Sequence, residues 1–222
     1  MDSLLARFPA TIDADLMLCA AHGCAYQRDM GANRVLYDEG YLGRVDAYEG
    51  SAIARAVNLG RCELLSRHLR PGASVLDIGA GSGAFVRAAN ASGFACKGFE
   101  VIPNATLRLR AAHLYAEDDP TGYDAVTLWD TIEHLEDPGP LLRSIDAGSM
   151  LFLSLPIFDD LRAIRESKHY RPGEHLTYWT ADGLVAWMTL YGFRLLESSD
   201  HETDAGRESI GAFAFMRRMN QS

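Results

Sequence analysis

Val75-Leu76-Asp77-Ile78-Gly79-Ala80-Gly81-Ser82-Gly83 joins a short apolar run to three glycines spaced two apart. The pattern predicts a buried strand over Ser74–Ile78, a tight turn over Gly79–Gly83 and a helix over Ala84–Ser92 ended by Gly93. Glycine lets such a turn take positive φ and lets backbone N–H groups approach a ligand without a Cβ in the way. The helix start that follows adds a favourable place for a carboxylate or phosphate. The spacing is G-x-G-x-G rather than G-x-G-x-x-G, and Asp77 stands two residues before the first glycine. A carboxylate there suits an ammonium and repels a pyrophosphate, which points to a cofactor that carries an amino acid.

Outward from this turn the chain alternates. A second strand is expected over Ala95–Val101, with the acidic Glu100 at its end, then a helix over Asn104–His113 with Leu107 and Ala111 four apart. A third strand follows at Tyr123–Trp129, a short helix at Pro140–Ile145, and an almost wholly apolar strand at Met150–Leu155. Strands apolar on both faces lie between helix layers, and strand–helix alternation makes an open α/β sheet, mostly parallel. Asp159–Trp179 reads as a long charged connection. Thr180 is placed to cap a helix bearing Leu184, Trp187, Met188 and Tyr191, with Gly192 after its end. Phe193–Glu197 and Ile210–Arg217 read as an antiparallel hairpin around Asp200–Gly206, at the edge of the sheet. Upstream, residues 1–70 read as a helical cap rich in tyrosine (Tyr26, Tyr37, Tyr41, Tyr48). It ends in a helix over Ser51–Leu69 striped by Ile53, Val57, Leu64 and Leu65. Arg70-Pro71-Gly72 then separates the cap from a domain over 71–222.

The composition narrows the partners. Among 222 residues, 30 acidic side chains against 21 basic ones give a net charge of −9, which argues against a general nucleic-acid or anionic-membrane binder. Apolar residues at 48% and charged ones at 23% describe an ordinary globular chain. The longest uncharged apolar stretch, Leu16 to Tyr26, falls short of the ~20 residues a membrane-spanning helix needs, and no basic-then-apolar leader is visible. Cys19, Cys24, Cys62 and Cys96 are too few and scattered for a disulfide framework. A cytoplasmic protein with reduced thiols is expected, no membrane as partner.

From about Arg70 to Phe215 the chain resembles the class I S-adenosylmethionine-dependent methyltransferases, in the small-molecule branch that includes the ubiquinone-biosynthesis O-methyltransferases. Val75–Gly83 resembles their first motif and Glu100 their second. Leu128-Trp129-Asp130-Thr131-Ile132-Glu133-His134-Leu135-Glu136-Asp137-Pro138 resembles their D-x-x-E-H-x-x-D-P segment, and His175-Leu176-Thr177-Tyr178-Trp179-Thr180 the stretch before their fifth helix. The resemblance implies a Rossmann-like open sheet with helices on both faces and an antiparallel final strand. It implies S-adenosyl-L-methionine as cofactor and S-adenosyl-L-homocysteine as product. By likeness Asp77, Gly79, Ala80, Gly81 and Gly83 would hold the methionine part and Glu100 with Val101 the ribose region, with Trp129 and Asp130 also against the cofactor. Asp118 would meet the adenine amine.

Methyl transfer from a sulfonium needs alignment of donor and acceptor and, for a hydroxyl, removal of a proton. His134 is the best placed histidine, and Arg162–His175 gathers Arg165, Lys168 and Arg171 with His169 and His175 in one connection. An anionic or polar small-molecule acceptor is therefore expected on Arg165, Lys168, Arg171 and Tyr178, with His134, His169 or His175 near the reacting atom and oxygen as the methylated atom. In the ubiquinone-pathway enzymes an E-x-x-E-H cluster is associated with a divalent metal. Asp130, Glu133 and His134 resemble it, but no metal is assigned. Tyr41 and Tyr48 are candidates for a lid. Rival readings are a nicotinamide-dependent oxidoreductase, opposed by the glycine spacing, and a methyltransferase-fold binding protein without turnover.

Overall fold

The computed structural model describes residues 9–11, 16–19, 23–28 and 39–219. In chain order the elements are β1 (Pro9–Thr11), β2 (Leu16–Cys19), β3 (Cys24–Gln27), α1 (Glu39–Glu49), α2 (Ala52–His68), β4 (Ser74–Ile78), α3 (Ala84–Ala91), β5 (Ala95–Phe99) and α4 (Pro103–Ala111). Then follow β6 (Ala125–Trp129), α5 (Gly139–Ser144), β7 (Met150–Pro156), β8 (Thr177–Trp179), α6 (Ala181–Leu190), β9 (Phe193–Ser199), α7 (His201–Asp204) and β10 (Ile210–Arg217).

Six strands form the main sheet in the order β5-β4-β6-β7-β10-β9. β5, β4, β6 and β7 run parallel, and β10 is antiparallel to both β7 and β9. The chain leaves β4 to build β5 on one side and returns to build β6 on the other. Their carboxyl ends therefore splay at β4/β6, where open α/β sheets form their ligand crevice. Strand alternation divides the core. Leu76, Ile78, Val126, Leu128, Leu151 and Leu153 pack with Leu184, Trp187 and Met188 of α6. Val75, Ala125, Met150 and Phe152 pack with Leu64 and Leu65 of α2 and Phe85, Val86 and Ala89 of α3. Asp77 is in phase with Val75, so it projects toward α2.

Two expected stripes are corrected. In α2 the buried face is Ala54, Val57, Arg61, Cys62, Leu64 and Leu65, while Ile53 is 42% exposed. In α4 the buried pair is Ala105 and Leu109, and Leu107 lies outside. Among the described residues of the first 70, the helical reading holds from residue 39 on. Before it, β1, β2 and β3 form a second antiparallel sheet completed by β8, from the expected charged connection. Leu16–Cys19 and Cys24–Gln27 are too short for stable helices; the Thr177-Tyr178-Trp179 edge offers ladder hydrogen bonds to Cys24–Gln27, which in turn pairs with Leu16–Cys19. The cap is thereby stitched to the second half of the chain rather than folded apart. Tyr37 and the side chain of Tyr41 lie outside the described residues. All four cysteines are free and buried, and no described helix is long and apolar enough to cross a membrane.

Candidate active site

A cavity of about 490 Å³ opens at the carboxyl ends of β4 and β6. One half is the glycine turn. Asp77, 2% exposed, accepts a hydrogen bond of 2.6 Å from the hydroxyl of Thr127, its cross-strand partner in β6. Burial pushes its carboxyl from the usual 3.8 up to about 7, against the pull of Thr127 and Arg61. The Gly79 and Ala80 N–H groups both donate to the Phe99 carbonyl at 3.0 Å, tying the turn to β5. Gly79 has φ +81°, and Thr131 fills the space a Cβ would need. Glu100 accepts from the N–H of Gly81 at 2.8 Å, of Val101 at 2.7 Å and of Ile102 at 3.0 Å. These features fit an aminoacyl nucleoside: a buried carboxylate for an ammonium, a bare backbone turn beside it, and an acid fixed by three donors at the next strand end.

The other half is built from the segment after β6 and the connection before β8. His134 Nδ1 is 2.8 Å from the Glu174 carbonyl, and the rings of His134 and His175 meet edge to face at 4.8 Å. Burial lowers both, His175 to about 3 with His134 and Arg171 adding to the effect, so both imidazoles are neutral at neutral pH. Burial, reinforced by Asp130, pushes the Glu133 carboxyl well up. Glu133 Oε2 and His175 Nδ1 are buried without a hydrogen-bond partner, an arrangement that calls for a ligand group or water. Glu133, His134 and His175 each offer one ligand atom, all within 4.8 Å of one another, and so could hold a cation. Asp130 does not join them.

Asp130 belongs instead to a buried brace. With φ +52°, it receives hydrogen bonds from Arg207 at 2.8 Å and Arg61 at 3.1 Å. Both guanidiniums also bind Glu202, which is fully buried at the start of α7. Burial opposes ionisation of Asp130, but Arg207 and Arg61 outweigh it and hold the carboxyl well below its ordinary range. Arg61 also lies 4.7 Å over the Trp129 ring.

Of the residues anticipated for the cofactor, Asp77, Gly79, Ala80, Gly81, Glu100, Trp129 and Asp130 line this cavity. Three do not. Gly83 caps α3 at φ +82°, and a Cβ there would meet Leu109 at 2.7 Å. Val101 is 66% exposed and Ile102 takes the lining position, because the turn into α4 points successive side chains apart. Asp118 is exposed on the loop beyond β5 and away from the cavity.

His134, His169, His175 and Arg171 line the cavity, but the other acceptor candidates do not. Arg165 is exposed and stacks on Tyr170 at 5.0 Å. Lys168 pairs with Glu208 at 2.7 Å on the surface. Tyr178 is buried against Leu16, Phe158 and Ile164, and its hydroxyl donates to the His175 carbonyl. Arg171 itself pairs with Glu174 at 3.1 Å. Of the tyrosines proposed as a lid, Tyr48 lines the cavity, together with Val45 and Glu49 of α1.

Several contributors were not anticipated. Arg61 carries a signal, a charge in phase with Val57, Leu64 and Leu65 on an otherwise apolar face. Gln27 carries none. Its amide donates to the His175 carbonyl at 2.8 Å and accepts from Gly173 N–H at 3.1 Å, so β3 positions the histidine connection. Glu202 and Arg207 lie in the polar turn of the terminal hairpin, where charged residues are ordinary and carry no signal of their own.

The family profile described as a methyltransferase domain matches residues 51–198. No curated protein matches the chain. Among solved structures, one chain from the complex between the Haloferax volcanii Trm112 methyltransferase activator and a methyltransferase superposes with a TM-score of 0.63 at 15% identity, over 83% of this chain and 100% of that one. A Thermotoga maritima S-adenosylmethionine-dependent methyltransferase gives 0.58 at 14% identity, over 81% and 97%. The glycopeptide N-methyltransferase MtfA complexed with S-adenosylmethionine gives 0.53 at 14% identity, over 75% and 94%.

Proposed function

The chain belongs to the methyltransferase domain family, and from that premise we propose that it moves the methyl group of S-adenosyl-L-methionine to an oxygen of a small polar acceptor seated between Glu133, His134, His169 and His175. The observation that carries this reading is the pair of partnerless buried atoms, Glu133 Oε2 and His175 Nδ1, in the same cavity as the glycine turn. When bound, the cofactor supplies an electrophilic methyl on a sulfonium, and the chain's own residues have the work of alignment.

His175, held neutral, can accept a hydrogen bond from an acceptor hydroxyl through Nδ1. Glu133 in its ionised form can take the proton that the hydroxyl gives up, and the burial that raises its carboxyl makes it the stronger base. Tyr48 and Glu49 on α1 narrow the mouth and limit water. The electrostatics favour a hydroxyl over a strongly anionic group. Arg171 is the one cation of the expected trio on the cavity, and Glu174 already answers it.

The test is methyl transfer from radiolabelled cofactor to a panel of phenols, catechols and hydroxy acids, with His175→Ala and Glu133→Gln alongside the parent. Transfer to a hydroxyl compound that falls at least tenfold in both variants, with cofactor affinity kept within twofold, is expected. Equal turnover in the variants, or transfer confined to amines, sinks the reading.

A further inference from the structure

α1 brings one more carboxylate to the glycine turn than the sequence motif contains. The helix is latched at two points: Leu42 packs with Ile102 and Ala105, and Asp46 takes two hydrogen bonds from Arg108, at 2.8 and 2.7 Å. So held, α1 directs Glu49, its last residue, into the same cavity as Asp77 and Glu100. Glu49 Oε1 stands 3.3 Å from where a Cβ on Gly81 would be, directly beside the bare turn.

We propose that Glu49 is a third carboxylate of the cofactor site and makes the site prefer the cationic methyl donor to the product that has lost its sulfonium charge. The inference rests on the chain binding S-adenosylmethionine. That molecule carries an ammonium, a carboxylate and a sulfonium, one net positive charge, whereas the homocysteine product is net neutral. A cluster of acids therefore acts on the two ligands unequally, and a partly enclosed cavity screens that difference less than water does.

The charges around Glu49 come from every element packed near it. Arg44 and Asp46 share its helix, Arg61 comes from α2, Asp77 from β4, Arg87 from α3 and Glu100 from the end of β5. Arg61 is committed to Glu202 and Asp130, and Arg87 donates to the Ser82 carbonyl. Burial pushes Glu49 up to about 7; Arg87 and the Ser82 N–H oppose the shift, and Asp46 and Asp77 add to it. Asp77 stands at a similar value. Near neutral pH both are then partly protonated, and a cation arriving between them expels protons.

The experiment is calorimetry of the full chain with S-adenosylmethionine and S-adenosylhomocysteine at pH 7, in two buffers of different ionisation enthalpy. Parent and Glu49→Gln are compared, with thermal melting as the check on folding. The parent should release protons on binding the donor, and its donor-to-product affinity ratio should fall as salt rises. Glu49→Gln should weaken the donor about five- to tenfold and the product about twofold or less, with less proton release. An unchanged ratio in the variant, tighter donor binding, or a parent ratio indifferent to salt overturns the proposal. A parent that binds neither ligand fails at the earlier step, the cofactor reading itself, and the proposal with it.

Discussion

The two halves of the cavity are built by opposite strategies. The half proposed for the cofactor is local: Asp77, the glycine turn and Glu100 sit within one strand–turn–helix–strand unit, and their contacts are mostly to backbone. The half proposed for the acceptor is assembled from afar. Gln27 of β3 holds the His175 connection, and Arg61 of α2 joins Asp130 after β6 to Glu202 of α7. A local unit carries its geometry wherever the fold places it. A composite depends on long-range contacts, so it should be the easier half to break without unseating the cofactor.

The largest expected effect tests that contrast at its brace. Glu202→Ala leaves two buried guanidiniums facing Asp130 alone, and a loss of about 3–5 kcal/mol in urea unfolding is expected. A loss under about 1 kcal/mol would mean the network is not what holds α2, β6 and α7 together.

Asp77→Asn acts on the other half and in the opposite sense. A carboxyl whose folded value is about 7 against 3.8 takes up protons on folding, so the folded state loses stability as pH rises from about 4 to 7. The amide escapes this. The variant should gain about 2–4 kcal/mol at pH 8, a gain that vanishes below pH 4, while cofactor affinity drops about a hundredfold. Equal stability of parent and variant at pH 8 would remove the account of a strained, ligand-ready carboxylate.

Gly79→Ala is next. Gly79 and Gly122 share φ +81°, but Thr131 crowds the first and nothing lies within 4 Å of the second. Alanine should cost about 1 kcal/mol at Gly122 and about 2–3 kcal/mol at Gly79, with cofactor binding lost at Gly79 alone. Similar melting shifts at both sites would show that crowding adds nothing.

Gln27→Ala removes hydrogen bonds to His175 and Gly173. It should cost about 1–2 kcal/mol and lower methyl transfer while cofactor affinity stays within twofold. A matching fall in cofactor affinity would blur the division between the halves. The smallest effect belongs to Lys168→Ala, an exposed pair worth under about 0.5 kcal/mol, with acceptor kinetics unchanged.

What could be read in advance follows the same line. The α/β alternation and the antiparallel final strand were legible because strand and helix periods are local and the glycine turn is nearly contiguous. Val57, Leu64 and Leu65 lie on the buried face of α2 as their spacing predicts, whereas Ile53 at its start is exposed; in α4 Leu107 faces outward because two apolar residues four apart do not say which side the sheet lies on. The charged connection misled in another way. Its cations lie close together in sequence, yet Arg165 stacks on Tyr170, Lys168 turns to Glu208, and Arg171 alone reaches the cavity. Direction along an irregular segment is set by what packs beneath it, and here Tyr178, Phe158 and Leu161 do so.

Sequence by itself determined the alternation of strands and helices, the glycine turn after β4, and the two acids that flank it, because each depends on neighbours a few residues away. Only the tertiary structure decided that Leu16–Cys19 and Cys24–Gln27 are strands, that Asp130 is tied to Arg61 and Arg207, and that Glu49 reaches the turn. Those outcomes rest on contacts between residues far apart in the chain, where burial, ladder pairing and charge neutralisation override local preference.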